Sequence, residues 1–235
     1  MITDTATIDL WATNAFQSVL KRLAEPLVQA SGGALSIVYR SSNMILAEVA
    51  KGGRADALIA TRPALEQLAR ESIVQRDSIA ELASTGLGIG IRAGSPRPDL
   101  STPAAVRNAL LDARSVVYSA TGASATYFLQ MVEQLGIARE VKAKAIVYAG
   151  GLVGEVVAKG EADLGAQMVS EILAVPGVEL AGELPPQFQQ PTMFAAALFG
   201  ETQHAERARA IIRVLTSAQA RPVYLAAGMK PASWA

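Results

Sequence analysis

Four short stretches place hydroxyl, amide or glycine residues where an apolar run gives way to helical periodicity. They are Thr13-Asn14, Ser41-Ser42-Asn43, Thr121-Gly122-Ala123-Ser124 and Gly150-Gly151. The first turn of a helix has backbone N–H groups without partners and the positive end of a dipole. Small residues let an anion come close to those groups. One such stretch alone reads as a helix cap; four together predict a shared site for a small anionic ligand. Gln167, Ser170 and Glu171, in "GAQMVSEIL", end a later strand and are expected to face the same cleft or to cap a helix. Arg40 and Arg62 flank the first-half turns, where a guanidinium can pair with a carboxylate through two hydrogen bonds.

Other chemistries lack their residues. There is no cysteine, and His204 is the only histidine, placed at the start of a surface-like helix. Thiolate chemistry, histidine triads and Cys- or His-ligated metals are therefore not expected, and no cofactor is indicated. "GLGIGIRAG" offers Gly86, Gly88 and Gly90, but Gly94-Ser95-Pro96 follows where a dinucleotide fold needs a helix. These glycines are read as relieving crowding in a strand. The 21 basic and 21 acidic residues balance to zero, which weighs against nucleic acid as a partner. No stretch is long and apolar enough to predict insertion in a membrane. "MITDTATIDLWATNAF" has neither a basic start nor a continuous apolar run. It reads as cytoplasmic as it stands, and as periplasmic if a leader has been removed.

The elements that would position these residues alternate between strand and helix. "ATIDLWA", "ALSIVYR", "DALIAT", "LGIGIRAG", "SVVYS", "VKAKAIVYAGG" and "TMFAAALF" read as strands. Helices are expected after Asn14 with Phe16, Val19, Leu20, Leu23 and Leu27 inward and a kink at Pro26, after Ser41, after Thr61 with Pro63 in the first turn, and after Thr102. Others follow Ser124, with Tyr127, Phe128, Met131, Val132 and Leu135 inward, and run from His204 to Ser217. "VPGVELAGELPPQFQQP" is rich in Pro, Gly and Gln and reads as a connection. "YLAAGMKPASWA" reads as a tail. Strand–helix units fill residues 7–70 and 100–173. The expected architecture is α/β with two Rossmann-like lobes: residues 1–85 with 192–235, and residues 86–191. Two strands cross between the lobes, with a ligand cleft between them.

The two halves also share a phrase. "SSNMILAEVAKGGRADALIA" and "GGLVGEVVAKGEADLGAQ" pair Glu48, Ala50, Lys51, Gly52, Ala55 and Asp56 with Glu155, Ala158, Lys159, Gly160, Ala162 and Asp163. Each half is read as needing a strand, a helix start aimed at the cleft, and a Gly-to-Asp turn back to the sheet.

This order of motifs (TN, SSN, Gly to Ala-Asp, TGAS, GG, Gly-Glu-Ala-Asp) resembles the type 2 periplasmic solute-binding proteins over nearly the whole chain. The similarity is to the branch of molybdate-binding components of ABC transporters. It implies two lobes closing on a small oxyanion held by hydroxyls and backbone N–H groups, with an ABC-transporter membrane component as a partner. By position, Asn14, Ser41, Ser42, Ser124 and Val153 would hold the ligand. Asn14 stands where a serine is usual, and "GAQMVSEIL" replaces a segment that usually brings a tyrosine. "GAQMVSEILAVPGVELAGELP" is similar to the sub-branch that includes aconitate isomerase, which implies a second reading: an isomerase of unsaturated tricarboxylates with Glu171 moving an allylic proton. An effector lobe of a transcription regulator shares the fold, but no DNA-binding segment is seen.

Overall fold

The computed structural model describes residues 6–182 and 184–233. The first five residues of the amino-terminal reading, Glu183 of the Pro-rich connection, and Trp234 and Ala235 of the tail lie outside the described residues. The chain divides into two compact units, residues 1–84 with 193–235 and residues 85–192.

Unit 1 begins with β1 (Ile8–Thr13) and a single 3-10 turn, Asn14–Phe16. Next come α1 (Gln17–Arg22) and α2 (Ala24–Ala30), where one helix was expected. Pro26 accounts for the break: its ring clashes with the carbonyl of Arg22, four residues back, and α1 ends there. Then follow β2 (Leu35–Arg40), α3 (Ser42–Ala50), β3 (Ala57–Thr61), α4 (Arg62–Arg70) and β4 (Ala80–Thr85).

Unit 2 carries β5 (Leu87–Arg92), α5 (Pro103–Asp112), β6 (Val116–Ser119), α6 (Ala123–Gln134), α7 (Ala138–Ala143), β7 (Ala145–Tyr148), α8 (Gly154–Ala158), β8 (Leu164–Met168), α9 (Val169–Ile172) and β9 (Val178–Gly182). The chain returns to unit 1 with β10 (Thr192–Leu198), α10 (Ala205–Leu215), α11 (Arg221–Ala226) and β11 (Lys230–Pro231).

Three sequence expectations need correction. The alternation in "VKAKAIV" suggested one strand, but Ala138–Ala143 is helical because a turn there buries Val141 beside Ile137. The connection after Pro176 contains a strand, β9, paired antiparallel to β5, and its Leu184 and Phe188 enter the core. The tail contributes α11 and the short strand β11.

The sheets repeat one plan. Unit 1 has the order β11-β4-β10-β3-β1-β2, and unit 2 the order β7-β6-β8-β5-β9. In each, a first strand (β1 or β6) pairs parallel to both its neighbours, and an antiparallel strand (β10 or β5) follows the third. Apolar residues cover both faces, as parallel strands require. In unit 1, Leu10, Phe16, Leu27, Ile211 and Tyr224 fill one side, and Ile45, Leu58, Leu65 and Phe199 the other. Phe16 meets Phe194 and Tyr224 edge-on, with ring centres 5.6 and 5.8 Å apart. Unit 2 is filled by Ile89, Val106, Phe128, Met131 and Val132 on one side, and by Val117, Val153 and Val157 on the other.

The repeated phrase builds the same device twice. α3 and α8 end at Ala50 and Ala158, and Gly52 and Gly160 follow at φ +92° and +75°, a region that glycine enters without penalty. In both, the next two N–H groups turn back onto the last helical carbonyls: Gly52 to Val49 and Gly53 to Glu48, Gly160 to Val157 and Glu161 to Val156. The aspartates then brace the chain within β1 and just ahead of β6. Asp56 Oδ2 accepts the Asp9 N–H at 2.9 Å, and Asp163 Oδ2 accepts the Arg114 N–H at 2.9 Å. This shared phrase is a frame, and it lies at the amino ends of the strands.

The glycines of β5 answer to crowding. A side chain on Gly88 would stand 2.8 Å from Leu180 Cδ1, and one on Gly90 would stand 3.0 Å from Ile172 Cγ2. No helix among the described residues is long and apolar enough to cross a membrane.

Candidate functional site

In unit 1 the parallel strands β1, β2 and β3 end at Thr13, Arg40 and Thr61, and each leads directly into helical residues. Ser41 caps α3, its Oγ accepting the Met44 N–H at 3.2 Å. Ser42 is buried, and its Oγ accepts the Thr61 N–H at 3.1 Å, tying the start of α3 to the end of β3. Asn43 is exposed on the first turn.

Asn14 was expected as a cap, but the cap position belongs to Thr13, whose backbone is extended. Asn14 is the first residue of the 3-10 turn, and its Oδ1 accepts from Gln17 Nε2 at 3.4 Å. Arg62 opens α4 and differs from the free carboxylate partner anticipated. Its guanidinium already meets Glu66 at 2.8 Å and pairs with Glu81.

In unit 2 the corresponding strands β6, β7 and β8 end at Ser119, Tyr148 and Met168. Ser119 Oγ donates to the Thr121 carbonyl at 2.7 Å, shaping the turn that delivers Gly122 and buried Ser124 to the start of α6. Ser119 was missed in the sequence; a hydroxyl two residues ahead of Thr121 was the available signal. Gly150 and Gly151 precede α8 by a short loop, so the helix begins at Gly154 and not directly after the glycines.

Gln167 is 2% exposed and holds that loop from behind. Its Oε1 accepts the Val153 N–H at 2.8 Å, and its Nε2 donates to the Gly151 carbonyl at 3.4 Å. The Val153 N–H is thus engaged within the protein, and Gln167 acts as a brace. Ser170 is fully buried, and its Oγ has no hydrogen-bond partner among the described residues. Glu171 is 7% exposed, with Oε2 accepting the Met168 N–H at 3.2 Å. Burial pushes its carboxyl up to about 7, against the opposing effect of that hydrogen bond. A carboxyl poised there holds and releases a proton near neutral pH, the requirement for general acid–base work.

A cavity of about 940 Å³ lies elsewhere in unit 2, lined by residues that include Ile91, Arg92, Arg97, Asn108, Arg114 and Asp163. It sits at the amino ends of β6 and β8, and none of the helix-start residues lines it. We favour the strand carboxyl ends, because ligands of open α/β sheets bind there. Two of the cavity's arginines are also already engaged, Arg97 with Glu179 at 2.8 Å and Arg114 with Asp163 at 2.6 Å. Among the described residues, no group of three or more His, Cys, Asp or Glu side chains is placed to hold a metal ion.

Comparison with known proteins agrees with this architecture. A family model described as bacterial extracellular solute-binding protein matches residues 8–230. An aconitate isomerase from a Pseudomonas species is 31% identical over 231 residues, covering 96% of this chain and 88% of that protein. Among solved structures, the periplasmic molybdate-binding protein of Azotobacter vinelandii superposes with a TM-score of 0.75 at 19% identity, over 96% of this chain and 100% of that one. The sulfate-binding protein of Mycobacterium tuberculosis gives a TM-score of 0.76 at 17% identity, over 97% and 88%. A tungstate-binding protein from Desulfovibrio alaskensis gives 0.62 at 15%, over 97% and 100%. At these identities the structures establish the two-lobe α/β binding-protein fold.

Proposed function

The chain belongs to the bacterial extracellular solute-binding protein family, and from that premise we propose that it binds a small oxyanion or organic carboxylate at its helix starts. The observation that carries this reading is the repetition: in each unit, parallel strands end on small-residue turns whose backbone is held by side chains from behind. Ser42 holds the Thr61 N–H, and Gln167 holds the loop before α8. Such preorganised turns suit an anion stabilised by backbone N–H groups and hydroxyls. The ligand-contacting residues in this reading are Asn14, Ser41, Asn43, Thr121, Ser124, Gly151 and Ser170, with Ser42, Gln167 and Val153 setting the loops. Arg62 acts through its carboxylate partners. An ABC-transporter membrane component is the partner to which such a protein would deliver its solute.

A thermal-shift series with molybdate, tungstate, sulfate, citrate, tricarballylate and cis- and trans-aconitate tests the reading. At least one anion raises the melting temperature in a concentration-dependent way. A flat response to all of them removes it.

A second reading is favoured by two observations, the 31% identity to an aconitate isomerase and the buried carboxyl of Glu171 titrating at about 7. In it, the protein interconverts cis and trans unsaturated tricarboxylates. Glu171 takes the proton from the allylic CH2, the double bond shifts by one carbon, and a proton returns to the former vinylic carbon, so atoms and charge balance. Proton NMR of either aconitate with the protein in D2O decides it. Appearance of the other isomer with deuterium uptake supports catalysis, and an unchanged spectrum over hours refutes it. Glu171→Gln abolishes the exchange while leaving anion-induced stabilisation in place.

A further inference from the structure

Arg40 ends β2 in register with Thr13 on β1, one residue before the Ser41 cap. Alternation along the strands puts it on the same sheet face as Val38, Trp11 and Thr13, the face covered by α3 and α4. The residue is half-buried, and its Nε is enclosed with no hydrogen-bond acceptor. Among the described residues no carboxylate pairs with its guanidinium.

Three other arginines of the same unit are provided for. Arg207 donates to the Ser31 and Ala6 carbonyls at 2.6 and 2.7 Å, Arg54 donates to Val49 and Gly53, and Arg62 has Glu66 and Glu81. An enclosed N–H without an acceptor costs free energy, and an apolar side chain of similar length would fill the same space without leaving Nε unsatisfied. Conflicts of this kind with local economy gather at functional sites.

We propose that Arg40 is the specificity-determining cation of the site and that the ligand is an organic acid which it engages through a carboxylate. This deepens the anion-binding reading and rests on it. The guanidinium is a planar fork whose paired N–H donors match two coplanar oxygens, and a carboxylate always presents such a pair. A ligand carboxylate also brings the counter-charge that the protein does not supply.

Arg40→Met and Arg40→Lys test the assignment, with tricarballylate and trans-aconitate as carboxylate probes and sodium molybdate as the tetrahedral oxyanion. In the wild type the carboxylates bind more tightly than molybdate. In Arg40→Met their affinity falls about 10- to 100-fold, the loss expected for a charge-assisted pair. Arg40→Lys recovers part of it, because an ammonium keeps the charge and loses the fork.

Unliganded Arg40→Met has a urea midpoint equal to or above that of the wild type, since no protein hydrogen bond is lost and an enclosed, unsatisfied Nε has gone; a purely structural arginine would lower it. Carboxylate affinity within threefold of wild type in Arg40→Met, or a wild-type preference for molybdate, overturns the assignment and leaves the anion-binding reading standing. Failure of every anion to bind the wild type overturns both.

Discussion

The buried carboxyl of Glu171 makes stability depend on pH in a direction opposite to that of most carboxylates. Its folded-state pKa lies at about 7, against an ordinary value of 4.5. In that interval the folded chain binds a proton that the unfolded chain has released, so stability falls as pH rises. The contribution is fully present below about 4.5 and is lost as pH climbs through about 7. Each pH unit of displacement corresponds to about 1.4 kcal/mol, which gives about 3 kcal/mol in all and roughly 2–3 kcal/mol between pH 5 and pH 8. That is a large part of the roughly 5–15 kcal/mol that holds a typical domain together.

Glu171→Gln isolates the effect. The amide keeps an oxygen to accept the Met168 N–H, and it stays neutral at every pH. Urea unfolding of both proteins at pH 5 and pH 8, in the same salt, is the assay. The wild type loses roughly 2–3 kcal/mol more than the variant over that interval, a difference in midpoint of roughly 1 M. Groups such as Asp163, held below its ordinary range by Arg114, act at more acid pH and cancel between the two proteins. Parallel pH profiles would refute the reasoning, because they would mean that solvent reaches the carboxylate in the folded state.

Four other perturbations have defined outcomes. Asp56→Ala leaves the Asp9 N–H without its acceptor and releases Thr202, and it costs about 1–3 kcal/mol in chemical denaturation. Asp163→Ala costs less by the same measurement, because its partner Arg114 has a side chain that is 86% exposed and is resolvated. Gly88→Val drives a branched side chain into Leu180, Val169 and Ile172 and lowers stability by about 1–3 kcal/mol or more, read as a fall in melting temperature. Gln167→Leu orphans the Val153 N–H, costs about 1–3 kcal/mol, and weakens ligand-induced stabilisation more than Gln167→Glu, which keeps an acceptor oxygen.

What the sequence made legible was local. Ser41 and Thr102 carry their own capping oxygens, and both accept the expected N–H. Gly136 ends α6 at φ +67°, as its place after an apolar face implied. The order of strands and helix starts could be read because each junction changes periodicity within a few residues. β9 was hidden because five residues between Gly177 and Glu183 give too short a run to stand out from the prolines and glycines around them. α7 was hidden because one buried residue, Val141, decides its conformation.

The site was legible only in part, for a related reason. The partners of Ser42 and Gln167 lie 19 and 14 residues away, and that distance carries no local signal. The desolvation that raises Glu171 depends on the packing around it and not on its neighbours in sequence. The matching phrases were real as a repeat, but their shared aspartates brace the amino ends of strands and not the helix-start turns.

The position of β10 governs the order in which the protein can be made. It lies inside the sheet of unit 1, between β4 and β3, yet it is synthesised after the whole of unit 2. A ribosome that has released residue 190 has therefore delivered every strand of the second unit. The first unit is still open, with β3 and β4 both lacking a neighbour. Unpaired edges invite association with other chains, so a truncation before Thr192 leaves unit 1 with an open edge on β3 and with neither neighbour of β4. In the intact chain, the last forty or so residues act as the closing piece of the domain that began first.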